Sequence, residues 1–260
     1  MAINPLRHKL KQGEQTFGMW VTMESPSISE IAITLGLDWV CIDMEHGHLD
    51  YKEVMEHVRT VRNSDTSILV RVPEISNSAI KRVLDMGAHG VLLPLVRNAE
   101  ELQTGFNYAR YPDTGIRGIG GERSVKWGLG LQEYLEYANE ETMVVPLIET
   151  KDAAEQIDSI LDVPGLEAIF FGPADLSASY GYLGQWEGPG VAQIILDIKA
   201  KADQRGIASG VMSTGVEDSI QRIQQKFGMV GFGSDAGLLI RSTVDNMEKA
   251  GLKRPIHLWF

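Results

Sequence analysis

The chain has 260 residues, of which 43% are hydrophobic and 23% charged, with 27 Gly and 10 Pro. These proportions are typical of a globular protein and exclude collagen-like, low-complexity and intrinsically disordered chains. The 35 acidic side chains outnumber the 24 basic ones, which gives a formal net charge of −11. Because phosphate backbones and anionic membrane surfaces repel such a chain, we expect neither nucleic acid nor a membrane as a partner.

The cysteine content and the hydrophobic segments indicate the cellular compartment in which the protein is expected. The single cysteine, Cys41, lies in an apolar run, so one chain can form neither a disulfide framework nor a multi-cysteine zinc site. The first fifteen residues lack the apolar core of a signal peptide, and no run of about 18 apolar residues occurs. We therefore expect a cytoplasmic protein.

Short apolar runs, which predict strands, alternate with amphipathic segments, which predict helices. The predicted strands are 17–23, 39–45, 68–72, 90–96, 142–148, 168–171, 209–212 and 229–232. The helices predicted after them are 28–35, 51–62, 77–86, 99–110, 151–161, 191–204, 216–225 and 237–249. Strands that are apolar throughout are typical of parallel sheets covered on both faces.

Eight strand–helix units in a chain of this length predict an α/β fold of the TIM (β/α)8 barrel type, as a single domain over residues 1–260. A doubly wound open sheet is the alternative, but no glycine-rich phosphate turn follows the first strand. Two long glycine-rich connections, 111–141 and 175–190, are candidate binding loops. The apolar end of the chain, 254–260, is expected to pack on the barrel or on a neighbouring subunit.

Charged residues follow several of the predicted strands, where a TIM barrel has its active site. Asp43, Glu45 and His46 end the second strand. Arg71 ends the third, Glu149 ends the fifth, and Asp175 follows the sixth. Glu149 and Asp175, on adjacent strands, provide hard oxygen ligands, which suit Mg²⁺ or Mn²⁺.

The other two side chains suggest how such a site could act. Arg71 could hold an anionic oxygen with two hydrogen bonds, and His46 is the candidate base near neutral pH. Because no lysine ends a strand, a Schiff-base mechanism is disfavoured. Together these residues predict chemistry on the enolate of a 2-oxo acid.

Six motifs occur in the same order as in a known family. They are IDMEHGH (42–48), LVRVP (69–73), MGAHGVLLPLV (86–96), RYPDTGIRGIGG (110–121), LIET (147–150) and GPADLS (172–177). With them the chain resembles the metal-dependent class II pyruvate aldolases of the HpcH/HpaI family, which include 4-hydroxy-2-oxoheptanedioate and 2-dehydro-3-deoxyglucarate aldolases. The resemblance covers nearly the whole chain.

The resemblance implies a role for each matching residue. Glu149 and Asp175 match the metal carboxylates, and the metal would be Mg²⁺, Mn²⁺ or Co²⁺. Arg71 matches the arginine that stabilises the pyruvate enolate. His46 matches the base, with Asp85 in the place of its paired acid. The residues that would contact pyruvate besides Arg71 are Asp43 and the backbone amides of Ala174 and Asp175.

The resemblance also implies a homohexamer, a dimer of trimers, in which the C-terminal helix packs on or is swapped with a neighbour. Two features depart from the family pattern. Leu147 stands where many members have Gln, so a polar contact to the metal site or its waters is missing or comes from elsewhere. The segment 120–127 differs in length and residues, and we expect it to face the aldehyde.

These observations favour a metal-dependent lyase that reversibly cleaves a 4-hydroxy-2-oxo acid into pyruvate and an aldehyde. Two alternatives keep the enolate but change its partner: oxaloacetate decarboxylation, and condensation with a second oxo acid as in citrate-forming relatives. A non-catalytic barrel that binds small acids is a more distant alternative.

Overall fold

A computed structural model describes residues 4–252. Its eight strands are parallel and close into a barrel in chain order, with the last strand beside the first. The strands are β1 (Thr16–Val21), β2 (Trp39–Asp43), β3 (Ser67–Arg71), β4 (Gly90–Leu93), β5 (Met143–Ile148), β6 (Ala168–Phe171), β7 (Ala208–Met212) and β8 (Met229–Ser234). The TIM barrel predicted from the sequence is confirmed.

Helices surround the barrel. They are α1 (Pro5–Lys11), α2 (Ser27–Thr34), α3 (Tyr51–Thr60), α4 (Asn77–Met86), α5 (Ala99–Ala109), α6 (Leu131–Glu141), α7 (Lys151–Glu155), α8 (Ile157–Leu161), α9 (Pro173–Ser179), α10 (Val191–Gln204), α11 (Val216–Gln224) and α12 (Asp235–Lys249), with a 3-10 turn at Arg123–Val125. The sequence did not predict α1, α6 or α9. The helix predicted over 151–161 is divided at Gln156, which is the C-cap of α7 and precedes α8.

Alternate residues of each strand point into the barrel, where large apolar side chains fill the interior. Trp39, Leu69 and Phe170 belong to this inner cluster, and the intervening strand residues pack against the helices. A Cβ atom on Gly18 would lie 2.1 Å from the Trp39 ring, so glycine is required there to admit the indole. Because both faces of each strand are buried, apolar residues do not alternate with polar ones along the strands, and charged residues appear mainly where the strands end.

The segment 120–127, in the connection between α5 and α6, was expected to face the aldehyde, and within one chain this expectation is wrong. The connection follows a helix rather than a strand, so it lies at the amino ends of the strands, opposite the predicted active site. Arg123 in this connection donates to the carbonyl oxygen of Met86 at 2.9 Å. Arg117 forms an ion pair with Asp85 at 2.7 Å. The segment therefore packs against the last turn of α4.

His89 precedes β4 at the same end of the barrel and should make stability depend on pH. Its Nδ1 accepts the backbone N–H of Ile68 at 3.1 Å, and burial, with the nearby charge of Arg123, lowers its pKa to about 4. The unfolded chain binds a proton on His89 more tightly than the folded chain does. The free energy of unfolding therefore has its full value above about pH 6.5 and decreases as the pH falls toward 4. Between pH 7 and 4.5 we expect a loss of up to about 2 kcal/mol.

Denaturant unfolding of wild type and His89→Asn at several pH values tests this expectation. The Asn side-chain oxygen can accept the same N–H without titrating. The free energy of unfolding of the variant should therefore decrease less between pH 7 and 4.5. Equal pH dependence in both proteins would show that His89 does not contribute.

No helix between residues 4 and 252 is long and apolar enough to cross a membrane. The apolar segment 254–260 lies outside the described residues, so its expected packing stays a prediction.

Candidate active site

A buried ion-pair cluster lies at the carboxyl ends of β2 and β3, where Asp43 and Arg71 are directly opposite in register. Arg71 Nε and Nη2 donate to the two carboxylate oxygens of Asp43 at 2.9 and 2.6 Å. Its Nη1 lies 2.9 Å from Glu45 Oε2. Burial alone would lower the pKa of Arg71, but the hydrogen bond and the charge of Asp43 outweigh it and raise the pKa. The guanidinium is therefore permanently charged and held in one plane.

Trp20 fixes the other side of this guanidinium. It occupies the inward position of β1 next after Gly18, and the Arg71 Cζ atom lies 4.5 Å from its ring centroid. A cation over an indole face is attracted by the ring quadrupole. The sequence alone did not decide whether Trp20 belongs to the core or to the pocket. In the structure it lines the pocket and contacts Arg71.

Glu149 directly follows β5, two residues after the inward-facing Leu147, and is 3% exposed. Its Oε1 accepts the backbone N–H of Leu95 at 2.7 Å, and a Cβ atom on Gly172 would lie 2.5 Å from its Oε2. Burial raises the pKa of this carboxyl to about 7, against the lowering effect of the Leu95 hydrogen bond. Leu95 has φ 51°, in the left-handed region. The carboxylate is thus held between two backbone segments.

Asp175 approaches Glu149 from the neighbouring strand connection. It is exposed in the first turn of α9, just after β6, and its negative charge contributes to the raised pKa of Glu149. Neither carboxylate forms an ion pair within residues 4–252. Two oxygen ligands that leave several positions to water and substrate suit Mg²⁺ or Mn²⁺. No group of three His, Cys, Asp or Glu side chains able to hold a metal occurs in that part of the chain.

His46 lies at the mouth of this site with its side chain 68% exposed, and its Nε2 is 4.0 Å from Glu45 Oε1. Asp43 Oδ1 accepts the backbone N–H groups of Glu45 and His46 at 3.1 and 3.2 Å, so one carboxylate orders both Arg71 and this turn. The structure does not bring Asp85 to His46 within the chain. Asp85 is near the end of α4, where it pairs with Arg117.

These groups line one pocket of about 440 Å³ at the carboxyl ends of the strands. It brings together six residues predicted from the sequence: Asp43, His46, Arg71, Glu149, Ala174 and Asp175. Leu147 also lines it and is buried among apolar side chains, so this position supplies no polar contact. Sequence reasoning gave no role to Trp186 and Met212, which line the pocket too, or to Glu45, which pairs with Arg71. Only Glu45 carried a signal, because it is the last residue of the second strand predicted from the sequence, two residues beyond the end of β2.

Comparison with known proteins agrees with this geometry. Residues 16–242 match the family model described as HpcH/HpaI aldolase/citrate lyase. A 4-hydroxy-2-oxovalerate aldolase of Rhodococcus jostii is 35% identical over 243 residues, which is 93% of each chain. A crystal structure of an HpcH/HpaI aldolase/citrate lyase family protein from Burkholderia cenocepacia J2315 superposes with a TM-score of 0.89 and 28% identity, covering 95% of this chain and 99% of that one.

A second solved structure represents a different activity. The crystal structure of citrate synthase SbnG has a TM-score of 0.84 and 27% identity, covering 95% of this chain and 97% of that one. The match to the family model spans nearly the whole barrel, and the Rhodococcus relative is similar over almost its full length. This chain therefore belongs to the HpcH/HpaI aldolase/citrate lyase family.

Proposed function

We propose that this family member is a carbon–carbon lyase that reversibly cleaves a 4-hydroxy-2-oxo acid into pyruvate and an aldehyde, with a divalent cation held by Glu149 and Asp175. The observation that carries the proposal is that one pocket contains both a fixed cation and two carboxylates able to bind a metal. An in-plane guanidinium, Arg71, faces the same cavity as two carboxylates that have no cationic partner within the described residues. A 2-oxo acid enolate needs both kinds of stabilisation.

In the cleavage direction, His46 takes the proton of the C4 hydroxyl. The C3–C4 bond then breaks, the aldehyde leaves, and the electron pair of that bond forms the C2=C3 double bond of the enolate. Arg71 has five N–H groups, of which two donate to Asp43, so the remaining N–H groups on Nη1 and Nη2 are available for the enolate oxygen at C2. Return of the proton from His46 to C3 completes pyruvate and restores the neutral base.

A divalent cation, Mg²⁺, Mn²⁺ or Co²⁺, would supply further positive charge at the 2-oxo group. The chain's own contribution is to hold the two carboxylates in place, through the N–H of Leu95 for Glu149 and through the first turn of α9 for Asp175. The backbone of Ala174 and Asp175 lines the same side of the pocket, which supports their proposed contact with the pyruvate carboxylate.

Pyruvate release, coupled to lactate dehydrogenase, tests the proposal with a panel of 4-hydroxy-2-oxo acids and oxaloacetate. The protein is first treated with EDTA and then supplied with Mg²⁺, Mn²⁺ or Co²⁺. Metal-restored release from hydroxy-oxo acids is the expected result. Release from oxaloacetate alone would instead favour decarboxylation or condensation with a second oxo acid, for which the similarity to citrate synthase SbnG is the supporting observation. Release from neither would favour the non-catalytic barrel.

We also propose that the chain forms the homohexamer implied by the family resemblance, and the surface of the C-terminal helix supports association between copies. In α12 only Asp235 and Gly237 are buried, whereas Leu239 and Ile240 are 61% and 51% exposed. Exposed apolar residues on one helix mark a surface that is covered in an assembly. We therefore propose that this helix packs on a neighbouring subunit.

Leu239→Asp should weaken this assembly, because a carboxylate would be buried in an apolar contact. Size-exclusion chromatography with light scattering would then detect species smaller than those of wild type at the same concentration. Gln103→Asp, at an exposed position of α5, is the matched control and should assemble as wild type does. Wild-type assembly of Leu239→Asp would contradict this role of α12.

A further inference from the structure

Leu95, in the turn that follows β4, has an unusual backbone conformation. Its φ of 51° lies in the left-handed region, which disfavours residues that carry a side chain. Pro94 precedes it, and in a turn with proline at the first corner, a second-corner residue with positive φ is normally glycine. The Leu95 side chain is 54% exposed, so its burial does not compensate for the conformation.

The other left-handed residues with a side chain lie in connections that follow helices. Between residues 4 and 252 they are Asn63, Lys126, Trp127 and Lys226. Lys226, for example, ends α11, and the N–H of the next residue, Phe227, donates to the carbonyl oxygen of Arg222 at 3.2 Å. A left-handed residue commonly ends a helix in this way. Leu95 instead follows a strand, at the end of the barrel that carries the pocket, so helix termination does not account for it.

The turn directs the Leu95 N–H to Glu149, the proposed metal ligand. This N–H donates to Glu149 Oε1 at 2.7 Å and is the one hydrogen-bond donor to the carboxylate in the part of the chain that the structure describes. On the other side, Gly172 approaches so closely that a Cβ atom there would lie 2.5 Å from Glu149 Oε2. The orientation of the carboxylate therefore depends on the direction of a single backbone amide.

The residues after Leu95 fix the position of this amide. The Val96 side chain is fully buried, and its carbonyl oxygen accepts from Thr150 Oγ1 at 3.3 Å. The carbonyl oxygen of Arg97 accepts from Gln156 Nε2 at 3.4 Å. Gln156 is the residue that separates α7 from α8, so the division of this helix coincides with a contact to the turn. A strained backbone persists only where surrounding contacts outweigh the strain, and these contacts have that role here.

We propose that Leu95 is a positioning residue, whose left-handed backbone aims its N–H at Glu149 and holds this carboxylate in the orientation that the divalent cation requires. This inference rests on the proposed function, because it assumes that Glu149 binds the cation. A hydrogen-bond partner of a metal ligand typically contributes about 10–100-fold to metal affinity. The backbone of Leu95 has this role, and its side chain beyond Cβ does not.

Substitutions that differ in their tolerance of positive φ test the proposal by calorimetric Mn²⁺ binding to metal-free protein. Leu95→Ile keeps the atoms of leucine but moves the branch to Cβ, which makes the left-handed region unfavourable. We expect it to weaken Mn²⁺ binding about 10-fold or more. Leu95→Ala, which lacks the side chain beyond Cβ, and Leu95→Asn, which tolerates the left-handed region, should bind within about 3-fold of wild type.

Lys226→Ile is the matched control, because Lys226 is also exposed and has φ 59° but lies at the amino ends of the strands. It should lower the thermal midpoint of metal-free protein, as Leu95→Ile does, and leave Mn²⁺ affinity unchanged. Equal loss of affinity in Lys226→Ile would show that general destabilisation weakens binding, and would overturn the proposal. Wild-type affinity in Leu95→Ile would overturn it, as would an equal loss in Leu95→Asn.

Turnover distinguishes positioning of the ligand from damage to the pocket. In Leu95→Ile the Mn²⁺ concentration that gives half-maximal cleavage of a hydroxy-oxo acid should increase about 10-fold or more. At saturating Mn²⁺, kcat should return to within about 3-fold of wild type, since the proposal assigns Leu95 to metal affinity alone. A loss of kcat that saturating Mn²⁺ does not restore would contradict this role.

Hydrogen exchange tests the contact without a Leu95 variant, so the proposal stays falsifiable if Leu95→Ile does not fold. Removal of the acceptor in Glu149→Ala should accelerate exchange of the Leu95 N–H about 10-fold or more in metal-free protein, because protection requires the hydrogen bond. Asp152→Asn is the control and should leave this exchange unchanged. Unchanged exchange in Glu149→Ala would overturn the proposal.

The proposed function and this inference can fail separately. Wild type that binds neither Mn²⁺, Mg²⁺ nor Co²⁺ would show that the metal site itself is wrong, and the positioning role with it. Wild type that binds Mn²⁺, with equal affinity in all Leu95 variants, would leave the metal site and overturn only the role of Leu95.

Discussion

Replacement of Arg71 with Lys should lower kcat for hydroxy-oxo acid cleavage about 100-fold or more, since loss of one donor to a developing oxyanion has this order of effect. Lys retains the charge but cannot donate in one plane to both oxygens of Asp43 and to a substrate oxygen at once. Calorimetric Mn²⁺ binding should persist, because Arg71 is not a proposed ligand. Arg205→Lys, which also lies between two carboxylates but on the surface, is the control and should keep wild-type turnover.

Arg71→Ala is the more severe change and must be compared with a double variant. It leaves Asp43, which is 1% exposed, without its cation, and breaking a buried pair in this way costs about 3–5 kcal/mol. Both turnover and stability should therefore decrease in this variant. In the double variant Arg71→Ala/Asp43→Asn, stability should recover in part while turnover stays low. Near-native turnover in Arg71→Ala would refute the enolate role.

The barrel was predictable from sequence because its signal is regular: apolar strands followed by amphipathic helices at similar spacing. Within this pattern α4, β6 and α10 begin and end at the predicted residues. The additional helix α1 precedes the first strand, and α6 and α9 lie in connections, so none of the three belongs to the regular alternation of strands and helices. The division at Gln156 has no Gly or Pro to mark it, so it could not be predicted.

The residues of the site likewise fall into those that the sequence pattern could predict and those that it could not. Arg71 and Glu149 were predictable because they end strands of fixed direction, and the barrel brings strand ends together. Trp186 lies in a long connection whose path depends on tertiary contacts, those of Ser177 and Arg222, that no local pattern encodes. The position of the segment 120–127 was misjudged for a related reason: the long connection that contains it suggested a binding loop, but because this connection follows a helix, it lies at the other end of the barrel.

The metal carboxylates give the second large prediction: Glu149→Gln and Asp175→Asn should each weaken Mn²⁺ binding about 100-fold or more and abolish metal-restored activity. Loss of a group that only supports a ligand already costs about 10–100-fold, so loss of a ligand charge should cost at least as much. Asp152→Asn, exposed in α7 three residues after Glu149, is the matched control and should bind as wild type does. Calorimetric titration of metal-free protein measures this without an activity assay.

The same Glu149→Gln variant separates loss of a ligand from loss of the fold. Its amide oxygen can still accept the N–H of Leu95, and it removes a carboxylate whose pKa burial raises to about 7. A carboxyl group with a raised pKa destabilises the folded state as pH increases through its ordinary value toward 7. Metal-free Glu149→Gln should therefore unfold at a higher temperature than metal-free wild type at pH 8, while Mn²⁺ should stabilise only the wild type. If both carboxylate variants bound Mn²⁺ with native affinity, the assignment of the metal site to Glu149 and Asp175 would be wrong.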